Sequence, residues 1–215
     1  MIESYYLEIT KSVFSHEEMQ LLKFVPDKRK EKILKYHFPQ DRLLSLYAAL
    51  LTRMVLSKRT KIPADRLEIG CETNGKPYLA NTDHFHFNLS HTKSCIFLCI
   101  SDEQPVGADI EKFTSPPLEI MKTVFHPDEI SYIETACKAD QMQKFFEIWT
   151  KKEAYLKKTG TGFMGDPSLI NTQKLPAAYC TCQIGDYICT ICSDTIHKII
   201  PYQITEADIL NFFNP

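Results

Sequence analysis

The pattern of hydrophobic and polar positions predicts short strands and helices that alternate along the first hundred residues. Residues 2–9 mix aromatic and β-branched side chains, which is typical of a strand. Ser15, with Glu18 three positions later, indicates the capped start of a helix. Pro26 and Pro39 each open a further helical segment. In the helix that Pro39 opens, apolar residues recur at helical spacing and form a wide stripe. We therefore expect this helix to be buried at the centre of the first half. The stripe consists of Leu43, Leu44, Tyr47, Leu50, Leu51, Met54 and Val55.

Strand-like runs follow this helix, and the order of elements then occurs a second time. The first runs lie at about residues 67–72, 77–79, 85–89 and 95–101, with turn residues between them. The second round comprises a strand at about 106–111, helices at about 117–123, 127–137 and 141–158, and a hairpin across 178–192. We therefore expect two halves of similar plan, although no sequence repeat accompanies them. The predicted junction lies between Ser101 and Pro105.

Composition and charge exclude several classes of protein. The chain has 215 residues, 44% of them hydrophobic and 24% charged, as in ordinary globular domains. Its net charge of −2 argues against a general polyanion binder, so any phosphate-binding surface must come from local clustering. The first residues have neither a basic start nor an apolar core, so we expect no signal peptide, and the stretch Leu43–Leu56 is too short and too polar to span a membrane. We expect a cytoplasmic protein whose eight cysteines are reduced.

Two carboxylates stand out on the predicted strand that opens the second half. Asp109 and Glu111 are two positions apart, so their side chains point to the same face. Two acids on one face repel each other unless a cation lies between them, and a hard divalent metal ion would serve. The alternative is a simple acidic strand surface, which is the better interpretation of such a pair on its own.

A third carboxylate borders an apolar stripe on the last long helix. Phe145, Trp149, Glu153 and Lys157 are spaced four apart, so they share one side of that helix. We therefore expect Glu153 to be partly buried and to need a cation or hydrogen bonds. A salt bridge to Lys157 could suffice, although such a pair contributes only about 0.3–0.5 kcal/mol. Four lysines make this helix basic: Lys151, Lys152, Lys157 and Lys158.

The segments around these carboxylates resemble the two signature motifs of the surfactin-synthetase-activating type of 4′-phosphopantetheinyl transferase. The first motif is Val106-Gly107-Ala108-Asp109-Ile110-Glu111-Lys112, and the second runs from Trp149-Thr150-Lys151-Lys152-Glu153 to Gly162. Their separation of about forty residues also fits. Weaker resemblance continues upstream in Asn74–Pro77, Phe87–Thr92 and Pro26–Lys32, so it covers about residues 20 to 165.

The resemblance implies a fold and an activity. The fold is α+β, with two similar α/β halves related by a pseudo-twofold axis and coenzyme A in the cleft between them. The halves would be residues 1–102, with phosphate and adenine contacts, and 103–215, with the metal-binding and catalytic motifs. Such enzymes transfer the phosphopantetheine arm of coenzyme A to a serine of an apo acyl or peptidyl carrier protein and release adenosine 3′,5′-bisphosphate. Because one chain holds both halves, we expect a monomer.

The resemblance also implies roles for individual residues. Asp109, Glu111 and Glu153 would bind Mg²⁺, and Glu153 could in addition be the base for the serine hydroxyl. These two roles compete, because a metal-bound carboxylate is less basic. Lys157 would contact the pyrophosphate and take part in catalysis. Carrier proteins of this system are acidic with an apolar patch, and the segment Lys151–Phe163 would be a docking surface for one.

Coenzyme A would be held mainly by residues of the first half. The implied contacts are Lys28, Lys32 and Arg42 for phosphates, Ser90 and His91 beside the phosphates, and Lys76 and Pro77 at the adenine end. Lys30 could replace Lys32, because the register of the motif slips there. Each position also has an ordinary structural explanation, such as a solvated basic helix or a hairpin tip. Leu43 stands where relatives often carry a small hydroxyl residue.

Three other interpretations remain open at this point. The same carboxylates could serve a Mg²⁺-dependent hydrolase of nucleotide pyrophosphates. The basic helix Lys28–Lys35 could belong to a nucleic-acid-binding module, but the chain has neither a net positive charge nor an aromatic platform, so we expect no nucleic acid partner. Cys180, Cys182, Cys189 and Cys192 could bind zinc, although strand alternation turns the last two to opposite faces.

Overall fold

The computed structural model describes residues 1–80, 82, 84–162 and 166–214, and these form a mixed α/β fold. The strands are β1 Ile2–Glu8, β2 Ile69–Cys71, β3 Pro77–Leu79, β4 His86–Thr92, β5 Cys95–Ser101, β6 Gly107–Lys112, β7 Ala178–Ile184, β8 Tyr187–Ser193 and β9 Tyr202–Gln203. The helices are α1 His16–Leu21, α2 Asp27–Lys35, α3 Pro39–Thr60, α4 Met121–Val124, α5 Pro127–Glu134, α6 Lys138–Thr159 and α7 Glu206–Phe213.

The strands form two main sheets and a small ribbon. The first sheet has the order β4-β5-β1-β9, the second has the order β6-β8-β7, and β2 pairs with β3 alone. Strand β5 runs antiparallel to both of its neighbours, whereas β9 joins β1 in parallel through Tyr5 and Tyr202. Strands β4 and β6 are therefore the edges at which the two sheets can meet.

Strand β5 is buried on both faces and links two hydrophobic cores. Ile96, Leu98 and Ile100 pack into the core around α3, while Cys95 and Phe97 point the other way, into a core shared with β6 and β8. This double burial explains why the strand reads as an unbroken apolar run. A third cluster lies beneath α6, on the opposite side of the second sheet, around Phe145 and Phe146.

Helices α3 and α6 are each 22 residues long and have clear termination signals. Helix α3 starts at Pro39, where proline lacks only an N–H that the helix would leave unpaired. Lys61 and Gly160 end α3 and α6 in the left-handed conformation, with φ of 62° and 70°. The predicted burial of α3 is confirmed, because the whole apolar stripe is buried.

Other boundaries differ from those predicted. The segment at 117–123 divides into a 3₁₀ turn, Leu118–Ile120, and the short helix α4. Helix α5 ends at Glu134 rather than near residue 137, because Cys137 already begins the entry into α6. The first strand of the ribbon covers only three residues, Ile69–Cys71.

The C-terminal segment returns to the first sheet after β8. Strand β9 extends that sheet beside β1, and Ile209 and Phe213 of α7 lie in the core around α3. Glu206 accepts hydrogen bonds from the backbone and hydroxyl of Thr10. Among the residues that the structure describes, no helix combines the length and apolar character needed to cross a bilayer.

The cysteines of the second sheet do not converge on one point. Cys182 and Cys189 face each other across β7 and β8, with their sulfur atoms 3.2 Å apart. The sulfur of Cys180 instead accepts a hydrogen bond from the backbone N–H of Ile199. Buried Cys192 pairs in register with Tyr179. This separation agrees with the argument against a zinc site from strand alternation.

The predicted capping box at the start of α1 is part of a buried ionic cluster. Glu18 is fully buried and accepts from the Ser15 backbone N–H at 2.9 Å and from the Tyr47 hydroxyl at 3.1 Å. Its other close partner is the Lys11 ammonium at 2.6 Å. Burial alone would raise the pKa of Glu18, but the hydrogen bonds from Lys11 and Ser15 prevail and lower it from 4.5 to about 2.

We predict that Glu18→Gln lowers the free energy of unfolding by about 2–3 kcal/mol at pH 7. Because the folded-state pKa is depressed, the stabilisation is fully present above about pH 4.5 and is lost as the pH falls towards 2. Urea denaturation at pH 7 and pH 3 should therefore show a smaller difference between variant and wild type at pH 3. Glu17→Gln is the control, since Glu17 also pairs with Lys11 but is exposed. Equal losses in both variants would contradict this account.

Candidate active site

The two sheets meet along β4 and β6, and polar side chains connect them. Alternate residues of β4 point towards β6, as the two-residue period of a strand requires. The connections are Ala108 N–H to Asn88 Oδ1 at 2.9 Å, Ser90 Oγ to Asp109 Oδ1 at 2.8 Å, and Thr92 Oγ1 to Glu111 Oε2 at 3.2 Å. The two predicted strand carboxylates therefore lie within the contact between the sheets.

Asp109 is the most buried carboxylate of this contact, with 2% of its surface exposed. Its Oδ1 atom accepts hydrogen bonds from Ser90 and, at 2.6 Å, from the Lys157 ammonium. Its Oδ2 atom is buried and has no hydrogen-bond partner among the described residues. Burial raises the pKa of Asp109 even though Lys157 and Ser90 oppose the shift. A buried, unpartnered carboxylate oxygen is costly, which makes this atom a candidate for a cation contact.

Glu111 is half-buried, and both of its oxygens have donors. Oε2 accepts from Thr92, and Oε1 accepts from the indole N–H of Trp149 at 3.3 Å. Burial and the negative charge of Asp109 raise the pKa of Glu111. The carboxylate is therefore held in place while its charge remains only partly compensated.

Glu153 approaches the same place from helix α6. It is half-buried, as expected, and lies one turn before Lys157. Burial and the charge of Asp109 raise the pKa of Glu153 to about 7, with Lys157 acting in the opposite direction. The electrostatic influence of Asp109 on Glu111 and Glu153 indicates that the three carboxylates share one region.

The donor atoms of this region fit a hard divalent cation. Three carboxylates contribute oxygen atoms, one of which has no partner, and their mutual repulsion would be relieved by positive charge. Mg²⁺ is usually held by few carboxylates together with water and phosphate oxygens. Within the described part of the chain, no group of three or more His, Cys, Asp or Glu side chains is arranged so that it could hold a metal ion. The donors therefore match Mg²⁺ in chemical type, and further ligands would have to come from water or phosphate oxygens.

Gly107 determines how closely α6 can approach β6. A Cβ atom added at Gly107 would collide with the Ala154 carbonyl oxygen and the Lys158 backbone N–H. The helix backbone thus crosses the strand directly above this glycine. This close approach brings Glu153 and Lys157 to the level of Asp109.

Basic groups of the first half lie beside this region. His91 is exposed, and partial desolvation of its ring together with nearby positive charges lowers its pKa. These charges belong to Lys157, Arg29 and Lys32. A cavity of about 750 Å³ opens next to His91 and Thr92, between the loop after β1 and the start of α3.

Arg29 is a candidate that the sequence reasoning did not assign. It is half-buried between α2 and α3, donates to the Ser45 carbonyl oxygen at 3.1 Å, and has a buried Nε atom without a partner among the described residues. Its spacing of three from Lys32 places both on one helix face, and this signal could have identified it. Lys28 is exposed in the first turn of α2.

The other residues predicted to contact coenzyme A are Arg42, Lys76 and Pro77, and they belong to other elements of the fold. Arg42 donates to the Tyr36 carbonyl oxygen at 2.8 Å, near the start of α3. Lys76 donates to the Lys158 carbonyl oxygen, so its turn lies against the C-terminal end of α6, and burial lowers the pKa of Lys76. Pro77 begins β3. The ligand roles of these residues stay predictions.

We expected Lys152 to contribute to the basic character of α6, and this expectation was wrong. Its side chain is 3% exposed and pairs with the fully buried Glu129 at 2.7 Å. It also donates to the carbonyl oxygens of Pro167 and Ile170. The ammonium group therefore anchors the chain that follows α6, because a buried charge requires such partners.

Comparisons with known proteins relate most of the chain to a single family. Residues 105–200 match the family model described as 4′-phosphopantetheinyl transferase superfamily, and residues 13–103 match the one described as 4′-phosphopantetheinyl transferase, N-terminal. The 4′-phosphopantetheinyl transferase AcpT of Salmonella typhimurium is 30% identical over 74% of this chain and 83% of its own length. Gsp of Aneurinibacillus migulanus is 30% identical over 75% of this chain and 67% of its own length. Sfp of Bacillus subtilis is 28% identical over 74% of this chain and 70% of its own length.

We predict that Gly107→Ala lowers the free energy of unfolding by about 3 kcal/mol, the upper end of the range for overpacked sites, because the atoms it meets are helix backbone. Urea denaturation measures this loss. Gly70→Ala is the control, since its added methyl group would meet only the ring of Tyr78, a half-exposed side chain that can move. A Gly107→Ala variant as stable as the control would show that α6 does not depend on this contact.

Proposed function

Because the chain belongs to the 4′-phosphopantetheinyl transferase superfamily, and is thus an enzyme of this type, we propose that it transfers 4′-phosphopantetheine from coenzyme A to a serine of an apo acyl or peptidyl carrier protein. The reaction depends on Mg²⁺ and releases adenosine 3′,5′-bisphosphate. The observation that carries this proposal is the group of three acids around Lys157, with the unpartnered oxygen of Asp109 at its most buried point.

The proposed architecture consists of two similar halves, residues 1–102 and 103–215, related by a pseudo-twofold axis, with β9 and α7 of the second half packed onto the sheet and core of the first. Two long helices of equal length, α3 and α6, support this arrangement, and so does the boundary between the two family models near residue 104. Coenzyme A would lie in the cleft between the halves. We propose a monomer, because residues from both parts of one chain meet at the β4–β6 contact. The cytoplasmic location stays a prediction.

In the proposed site Asp109, Glu111 and Glu153 hold Mg²⁺ together with oxygens of the substrate. Bound there, Mg²⁺ would offset the negative charge that develops on the leaving phosphate. The Lys157 ammonium is proposed to contact the pyrophosphate as a charge clamp, and its hydrogen bonds to Ser90 Oγ and Asp109 Oδ1 support this role.

Glu153 is also proposed as the group that accepts the proton of the carrier serine. Without a cation its pKa is about 7, which suits a general base at neutral pH. This pKa falls when a cation lies beside the carboxylate, so the ligand role and the base role compete. We give the ligand role priority, because Glu153 shares its electrostatic environment with Asp109 and Glu111.

The phosphates of coenzyme A would be bound by basic groups of the first half. The proposed set is Lys28, Lys32 and Arg42, with Ser90 and His91 beside the pyrophosphate. The effect of Lys32 on the pKa of His91 supports their proximity. Lys76 and Pro77 remain the proposed adenine contacts, since their turn borders the end of α6.

An acidic carrier protein is proposed to dock along the loop and helix from Lys151 to Phe163. Phe163 lies outside the described residues. Lys152 does not contribute, because it is buried against Glu129. Of the other lysines in this segment, half-buried Lys151 is paired with Glu147, and Lys158 is paired with Asp194.

Mass spectrometry of apo carrier proteins after incubation with this protein, coenzyme A and Mg²⁺ tests the proposed function. We expect one phosphopantetheine mass gain on an acyl or peptidyl carrier. A second incubation without carrier protein tests the alternative of a pyrophosphate hydrolase, which would release the bisphosphate under these conditions. The transferase proposal fails if fatty-acid, polyketide and peptide carriers all keep their mass.

We predict that Asp109→Ala and Glu153→Gln each abolish transfer, because the first removes a carboxylate ligand of the cation and the second removes the negative charge and the basicity of another. The rate of carrier modification is the measurement, and circular dichroism confirms that the fold is intact. Asp140→Ala is the control, since Asp140 is exposed in the first turn of α6, more than three turns from Glu153. Retained transfer in either site variant would remove that residue from the metal site.

A further inference from the structure

Glu111 is oriented by two hydrogen-bond donors that come from different parts of the chain. Thr92, the last residue of β4, donates to Oε2 at 3.2 Å, and Trp149 of α6 donates to Oε1 at 3.3 Å. Each oxygen therefore has its own donor, which fixes the plane of the carboxylate. The lone pairs that these donors leave free remain available for a cation.

Both donors belong to packed or paired parts of the fold. The indole ring of Trp149 is stacked on Phe145 with an interplanar angle of 7°, and it contacts Phe125 edge-on. Thr92 ends a strand at a tight turn, where it pairs in register with Cys95. Rotation of the Glu111 side chain would break both hydrogen bonds, so they favour one orientation of the carboxylate.

We infer that Thr92 and Trp149 are positioning residues that set the affinity of the site for its divalent cation; this inference rests on the proposed function. A carboxylate ligand binds a cation more tightly when its orientation is fixed before binding, because less conformational entropy is lost. Thr92 belongs to the first sheet and Glu111 to the second. Cation affinity then depends on the sheets keeping their register at β4 and β6.

The same contacts could instead serve only to pack the two sheets together. The two explanations make different predictions for conservative variants. Thr92→Val keeps the shape of the side chain and removes the hydroxyl, whereas Thr92→Ser keeps the hydroxyl. Trp149→Phe keeps an aromatic ring and removes the N–H. A packing role predicts changes in stability alone, whereas a positioning role predicts a change in cation affinity that Thr92→Ser restores.

Trp149 provides a direct probe, since it is the single tryptophan of the chain. Mg²⁺ is titrated into the full-length protein saturated with coenzyme A, without carrier protein, and the fluorescence of Trp149 is followed. Isothermal calorimetry repeats each titration and also serves for Trp149→Phe. We expect Thr92→Val and Trp149→Phe each to raise the dissociation constant of Mg²⁺ by about 10-fold or more, the usual effect of removing a partner of a metal ligand.

Thr60→Val is the matched control. Its hydroxyl donates to the Leu56 carbonyl oxygen near the end of α3, about 27 Å along the helix from Arg42. We expect its Mg²⁺ affinity to equal that of the wild type, and that of Thr92→Ser to stay close to it. The free energy of unfolding is measured for every variant, so that a change in stability can be separated from a change in affinity.

Two negative outcomes are distinguishable. If the wild type binds coenzyme A and Mg²⁺, and Asp109→Ala loses Mg²⁺ while Thr92→Val and Trp149→Phe keep wild-type affinity, the positioning role is overturned and the proposed function stands. If the wild-type protein binds neither coenzyme A nor Mg²⁺, the proposed function falls and this inference falls with it.

Discussion

The contact between the edge strands β4 and β6 is the interaction on which the rest of the structure depends. Asn88 accepts a hydrogen bond from the Ala108 N–H of the second sheet. Ser90 and Thr92, the next two residues on the same face of β4, donate to the carboxylates of Asp109 and Glu111. The groups that join the sheets are therefore also the groups that form the candidate site. An arrangement that separated the sheets would leave buried polar atoms without partners, so the site and the fold stabilise each other.

Helix α6 completes the site, and two features fix its position. Gly107 permits direct backbone contact between strand and helix, and the buried pair of Lys152 and Glu129 ties the helix to α5 and to the segment after it. Lys152 and Glu153 are neighbours on this helix but face different surroundings. The charge of Lys152 is paired by Glu129, whereas burial and the charge of Asp109 raise the pKa of Glu153.

The elements that could be predicted from the sequence are those determined by local pattern. The stripe of α3, the capping box of Ser15 and the shared face of Asp109 and Glu111 all follow from spacing alone. The burial of Lys152 could not be predicted, because Glu129 lies 23 positions earlier and meets it only after the helices pack. The two donors of Glu111 are also distant in sequence. Strand β9 is too short to have a sequence signal, and it pairs with the edge of β1, a strand about 200 positions earlier in the chain.

The return of the C-terminal segment to the first sheet has a consequence for synthesis on the ribosome. Strand β9 and the core residues of α7 complete a sheet and a core whose other members lie within the first 101 residues. That half therefore remains without its outer strand and helix until residues 202–213 have emerged. The second sheet will by then have all of its strands, so we expect the two halves to reach their final form together rather than in chain order.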